Sequence, residues 1–265
     1  MSIGVKHFVG NTASHSAFYI ALPVSITQTD MDIVYLLKDT SKNEELVYSL
    51  RSLVNLPHDK VYLVGGCPLE INKERIIHIP TRQTNDKYKN TTTALEVAAR
   101  DPRISEDFIL MNDDFFILLP ITDPEKELNL CRGTITEVLH EYTKRYGPDA
   151  NSYLIGMRQT NIYLQDLGVK EPLSYELHIP IIMAKTNVLR LFQLPYLHSL
   201  QVIHKRTIYG NLFKNNSTPT EDVKVRRKVY WPIYNQKFLS TEDDSWQYVK
   251  TFMNNKFPKK SEYEL

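Results

Sequence analysis

Two adjacent carboxylates, Asp113 and Asp114, follow the apolar run Phe108-Ile109-Leu110-Met111 after a single Asn112. That pattern is the carboxyl end of a buried strand, where open α/β sheets bind ligands. Neighbouring strand residues face opposite ways, so one Asp can reach into a cleft while the other braces the turn. Such a carboxylate suits a hard divalent cation that bridges it to diphosphate oxygens and neutralises a leaving nucleotide. An Asx turn that merely caps the strand is the more ordinary use of an Asp-Asp pair, so the pair alone decides nothing. The 16 tyrosines offer flat faces with polar tips suited to sugar or base stacking, although most are expected to be half-buried packing residues. The basic stretch Lys224–Lys228 reads as a solvated face or as an attractor of phosphate-rich acceptors.

The elements that must position these groups become regular at Met31. Asp32–Leu37 has buried-strand character, and Asp39-Thr40-Ser41 is turn or cap chemistry before a helix. In that helix Leu46, Val47, Leu50, Leu53 and Val54 share one face, and Pro57 ends it. Val61–Val64 and Ile76–Ile79 read as second and third strands, so strand, helix and strand form a parallel crossover unit. Thr81–Asn90 is expected as a loop, Thr92–Arg100 as a helix and Asp107–Met111 as a strand. A helix is expected at Thr134–Tyr146. Further elements are a strand at Ile179–Met183, a helix at Asn187–Phe192, a strand at Val229–Tyr234 and a helix at Asp244–Asn254. Asn211–Lys228 reads as a mobile loop.

With 265 residues, 42% hydrophobic and 24% charged, the chain can bury a sizeable core. A formal charge of +1 excludes a strongly basic nucleic-acid binder and leaves room for a local basic groove. Two cysteines, Cys67 and Cys131, are too few for a disulfide framework and fit a reducing compartment. The N-terminal run Phe18–Val24 falls well short of the roughly 20 residues of a spanning helix, and no secretory signal is evident. A cytoplasmic protein without a transmembrane segment is expected. Residues 1–30 read as an extension before a functional start at Met31, or as an extra strand through Ala17–Val24. Residues 31–265 are expected to form one catalytic domain.

Four blocks resemble the Stealth family, which includes bacterial capsular-polysaccharide phosphotransferases and the lysosomal-enzyme N-acetylglucosamine-1-phosphotransferase. Glu45-Leu46-Val47-Tyr48-Ser49-Leu50-Arg51-Ser52, followed by Lys60-Val61-Tyr62-Leu63-Val64, is similar to "ELRYSLRS … KIYIV". Asp32-Ile33-Val34-Tyr35 resembles the opening "DVVYTW", with Leu36 and Leu37 in place of Thr-Trp. Ala94-Leu95-Glu96 and Phe108–Asp114 are similar to "AIE … FIYLNDD". Glu176-Leu177-His178-Ile179-Pro180, with Lys185 downstream, resembles "H-x-P … K". Lys237–Asp244 and Phe257–Glu264 resemble "KFICLND … FPxxSxFE", with Ser240-Thr241-Glu242 in place of Cys-Leu-Asn. Four blocks in order are far more specific than any one of them.

The resemblance implies an α/β fold: a GT-A-like nucleotide-diphospho-sugar transferase core with a mainly parallel central sheet flanked by helices. It implies catalytic roles for Glu96, His178 and Arg206, metal ligation by Asp114 with Asp243 or Asp244, and donor binding by Arg51, Asn112, Asp113 and Lys185. His178 would be the base for an acceptor hydroxyl, with Glu176 orienting its ring. Arg206 would clamp phosphate oxygens. Mg²⁺ or Mn²⁺ is the implied cofactor and a UDP-sugar the implied donor. The acceptor would be a hydroxyl on a glycan or other surface polymer, with DNA as a further candidate. Sugar-1-phosphate transfer is the favoured reaction. Ordinary glycosyl transfer and a non-catalytic nucleotide- or glycan-binding module are the alternatives.

Overall fold

The computed structural model describes residues 31–147, 151–226, 236–242 and 244–265. Asp32–Leu37 forms β1, and Glu44–Ser52 forms α1, whose N-cap Asn43 accepts the Leu46 N–H through its side chain. Val61–Gly65 is β2, Ile77–Pro80 is β3, Lys87–Arg100 is α2 and Asp107–Met111 is β4. The short elements β5 (Phe115–Ile117), α3 (Pro124–Glu127) and β6 (Leu130–Cys131) lead to α4 (Ile135–Tyr146), which opens with a Thr134–Glu137 capping box. Then come α5 (Ser152–Asp166), β7 (Ile181–Ala184), α6 (Lys185–Phe192) and α7 (Lys205–Phe213). The described chain ends through β8 (Thr218–Pro219), β9 (Lys224–Val225), β10 (Phe238–Thr241) and α8 (Trp246–Lys256).

The central sheet runs β3-β2-β1-β4-β7; its first four strands are parallel and β7 is antiparallel to β4. Alternation along the strands divides the core into two. Val34, Leu36, Tyr62, Val64, Phe108 and Leu110 pack with Ala94, Leu95 and Ala98 of α2. Ile33, Tyr35, Leu37, Leu63, Ile109 and Met111 pack with Leu46 and Leu50 of α1. Strands covered on both faces read as continuous apolar runs, which is why β1, β2 and β4 stand out in the sequence. The order reverses between β1 and β4, so the turns after them flank a topological switch point, the usual ligand crevice of such sheets. A smaller sheet, β5-β10-β9, carries Phe116, Leu239 and Val225 against Val249 and Met253 of α8.

Several boundaries differ from expectation. Helix α2 starts at Lys87 rather than Thr92, because Asp86 caps it by accepting the Tyr88 and Lys89 N–H groups. Helices α5 and α7 were not foreseen. Gly156 sits inside α5 because a Cβ there would come within 2.6 Å of the Val202 Cβ. Within Asn211–Lys228, expected as a mobile loop, residues 211–213 complete α7 and the short strands β8 and β9 follow. The strands expected at Ala17–Val24 and Val229–Tyr234 lie outside the described residues. Among the described residues no helix is long and apolar enough to cross a membrane.

Candidate functional site

A cleft of about 410 Å³ opens at the carboxyl end of β4. Its walls come from the turn after β4 (Asn112), the start of β5 (Phe115), the segment before β7 (Glu176, Leu177, His178), α7 (Arg206), the β9 region (Lys224, Arg226) and Glu242 after β10. Lys87 and Tyr88 of α2, Tyr142 and Tyr146 of α4, and Asn151, Tyr153 and Leu154 around the start of α5 complete it. Four tyrosines and four cations therefore converge on one concavity, opposed among the lining residues by Glu176 and Glu242.

His178 is held from behind by Asp222. Its Nδ1 lies 2.8 Å from Asp222 Oδ1, its backbone N–H donates to the same oxygen, and its ring meets Phe115 edge-on. No described residue bonds Nε2, the nitrogen left for the cleft. Burial alone would raise the Asp222 carboxyl. The hydrogen bond and charge of His178, with Arg226 3.0 Å away, hold it well below the ordinary carboxylate range. Asp222 was missed in the sequence because nothing in Glu221-Asp222-Val223 distinguishes it from a solvated loop acid.

The orienting role expected of Glu176 goes elsewhere. Glu176 accepts from Thr207 Oγ1 at 3.0 Å and faces His204 Nδ1 at 3.5 Å. Burial would push its carboxyl up, but His204, then Arg206 and Lys205, hold it down to about 2. Arg206 is buried over the Phe115 ring and donates Nη2 to the Ile179 carbonyl, while Nε and Nη1 have no hydrogen-bond partner. Burial pushes this guanidinium down to about 10 against the attraction of Glu176, Asp114 and Asp222. Orphaned buried donors are costly, by about 1–3 kcal/mol each, and a cation kept in that state is a functional-site signal.

The two carboxylates of the turn after β4 take different partners. Asp113 accepts from Asn43 Nδ2 at 2.5 Å, tying the β4 turn to the α1 cap. Burial, then the charge of Asp114, pushes the Asp113 carboxyl up to about 6. Its ionisation therefore costs more in the fold than in the unfolded chain, so stability contributed by the neutral acid is lost as pH rises from about 4 through about 6. Asp113→Asn is expected to flatten that limb in urea midpoints measured from pH 4.5 to 7.5. An unchanged slope would assign the proton to another group.

A hard divalent cation needs several oxygen donors at once. Asp114 instead shares one oxygen between Lys224 Nζ (3.0 Å) and Ser240 Oγ (2.9 Å). Asp244 is exposed in the turn before α8, and Asp243 lies outside the described residues. Among the described residues no group of three His, Cys, Asp or Glu side chains could hold a metal ion. Among the described residues a lysine ammonium stands at the carboxylate where the cation was expected.

Other expected site residues are placed away from the cleft, each for a physical reason. Glu96, half-exposed on α2, pairs with Arg100 one turn on. Lys185, at the start of α6, donates Nζ to the Asp101 and Ile104 carbonyls and so ties off the turn between α2 and β4. Arg51 makes a two-point pair with Glu264 at 2.9 and 2.7 Å and donates to the Phe257 carbonyl, fastening the C-terminal segment to α1. The neighbouring Tyr263 hydroxyl meets His58 Nε2, and the Leu265 N–H donates to the Glu70 carbonyl. Arg51→Ala leaves the buried Glu264 charge unpaired and is expected to lower stability by about 2–4 kcal/mol, measured by urea unfolding. A change below about 0.5 kcal/mol, the surface range, would show the pair to be incidental. Asn112, Asp113, Asp114, His178 and Arg206 are thus brought to or beside the cleft, whereas Glu96, Arg51, Lys185 and Asp244 are not.

No protein-family model matches the chain, and no curated protein matches it. Among solved structures, the bifunctional glycosyltransferase WbbM in its apo form is similar over 91% of this chain at 10% identity and a TM-score of 0.49. The chain spans about half, 51%, of that protein. The galactosyltransferase LgtC in complex with donor and acceptor sugar analogues is similar over 88% of this chain and 98% of its own, at 9% identity and a TM-score of 0.47. An active-site mutant of LgtC gives 10% identity and 0.48 over the same shares. Likenesses at this level do not bear on activity, so the functional reading rests on the cleft.

Proposed function

We propose that the chain is a nucleotide-sugar-dependent transferase that moves a sugar-1-phosphate to an acceptor hydroxyl. The observation that carries this reading is the convergence of His178, with Nε2 left to the cleft, and Arg206, with two unpartnered buried nitrogens, in one cation-rich concavity at the sheet's switch point. The ordered resemblance to Stealth-family blocks supports the same donor class, and the tyrosine-lined walls suit the faces of a sugar acceptor.

In this reading the donor diphosphate lies among Arg206, Lys224 and Arg226, whose charges offset the negative charge that builds up during transfer. The acceptor oxygen attacks the sugar-bearing phosphorus, and its proton passes to His178 Nε2. The bond from that phosphorus to the bridging oxygen breaks, and the nucleoside monophosphate leaves with the electron pair. Every charge invoked here belongs to the chain.

The test is a panel of nucleotide-sugars, UDP-sugars first, incubated with a glycan acceptor with and without Mn²⁺, followed by identification of the released nucleotide. A monophosphate is expected. A diphosphate would replace this reading with glycosyl transfer at the anomeric carbon. Donor binding without turnover would make the cleft a binding module, and no binding at all would overturn the donor class.

A further inference from the structure

The proposed chemistry needs a base with a defined lone pair, and the imidazole of His178 has two tautomers. Its backing group is Asp222, 4% exposed, on the segment between β8 and β9. Both Asp222 oxygens lie near His178 Nδ1, at 2.8 and 3.1 Å, and Oδ1 also accepts the His178 backbone N–H. We propose that Asp222 is the positioning residue for His178: it holds Nδ1 protonated and turned away from the cleft, so that Nε2 presents its lone pair to the acceptor. This rests on the transferase reading for its consequence in turnover, but not for the geometry itself.

The surroundings explain why this carboxylate stays ionised and fixed. From the far side of β9, Arg226 donates to Oδ2 at 3.0 Å. From the turn before α4, Arg132 Nη1 lies 3.9 Å from the same oxygen. Tyr142 of α4 accepts from both guanidinium groups, and Glu141 holds the far end of Arg132 at 2.8 Å. Arg206 of α7 adds a further positive charge toward Asp222. One face of the carboxylate thus takes the imidazole and the other takes two arginines. Such a carboxylate holds one tautomer and stabilises the imidazolium formed when the base takes its proton.

Asp222→Asn separates this role from simple packing. The amide keeps the shape but can donate to Nδ1, which favours the opposite tautomer with Nε2 protonated. Turnover is expected to fall at least 100-fold, with the donor KM within about threefold of the parent. Loss of the negative charge, leaving Arg226 without its carboxylate, disfavours imidazolium, so the acid limb of kcat/KM moves to lower pH. Asp222→Glu should restore part of the turnover and move the limb back.

A substrate-free readout stands beside these: ¹⁵N-histidine NMR of the full chain should show His178 as the Nδ1–H form, and the Nε2–H form in Asp222→Asn. Should Asp222→Asn fail to fold, the parent spectrum still decides. An Nε2–H parent signal, or a variant with unchanged turnover and pH profile, would overturn the proposal. Because the tautomer is read without donor or acceptor, failure of the transferase reading in the nucleotide-sugar panel would leave this result standing and separately interpretable.

Discussion

His178→Ala is expected to lower turnover by about 10²–10⁴-fold, the range general bases contribute, while nucleotide-sugar binding measured by calorimetry changes little. The imidazole faces the cleft through Nε2, and its Nδ1 is committed to Asp222. In the proposed reading it acts on the acceptor hydroxyl, and the donor's phosphates are left to Arg206, Lys224 and Arg226. The ring is 24% exposed and its removal leaves Asp222 still paired with Arg226, so the fold should survive. If the variant folds but no longer binds donor, His178 is a phosphate ligand and the base must be sought at Glu176. If it unfolds, the ring is a core residue and the acid–base assignment fails.

Arg206→Met is expected to part stability from activity. The guanidinium is buried on α7, two of its nitrogens have no partner, and burial already disfavours its charge. A long apolar side chain of similar reach can keep the contact with Phe115 without that cost. Removing two orphaned buried donors relieves a cost of about 1–3 kcal/mol each, so the melting temperature should rise by several degrees. Donor affinity and turnover should nevertheless collapse, because in the proposed reading α7 then offers the diphosphate no fork-shaped group. Arg206→Lys keeps the charge, loses the fork and should lose most turnover as well. A fall in melting temperature for Arg206→Met would show that the attraction of Glu176 and the bond to the Ile179 carbonyl make Arg206 a structural cation.

The parts of the fold legible in the sequence are those in which burial is continuous or strictly periodic. Ile33 to Leu37, Val61 to Val64 and Phe108 to Met111 are covered on both faces, and their apolar runs say so directly. Helix α7 hid because it is buried nearly all round yet carries Lys205, Arg206 and Thr207, so its polar residues imitate a solvated segment. Helix α5 hid because Tyr153, Ile155 and Ile162 add apolar positions outside the buried set of Leu154, Met157 and Leu164. In the site, the Asp113-Asp114 turn was readable from its place after β4 and His178 from its block, while Arg206 was implied by the resemblance from outside the four blocks. Asp222 and the pairing of Lys224 with Asp114 were not readable, since Asp222 and Lys224 meet their partners, 44 and 110 positions away respectively, only through the return of β9 to the β4 end. A lysine on a carboxylate cannot be inferred from either residue's neighbours in the chain.

The fastening of the C-terminal segment onto α1 imposes an order on folding. Arg51 and Glu264 are 213 positions apart, so at about 5–20 residues per second of synthesis the arginine waits roughly 10–40 s for its carboxylate. During that interval α1 can lie on β1 and β2 but lacks the cover that Tyr263 gives its side of the core. Closing that flank is a contact of high sequence separation, the kind whose formation slows folding. A helper that shields this flank on the ribosome, or slower synthesis of the last segment, should change the yield of soluble chain more than any change made within the cleft.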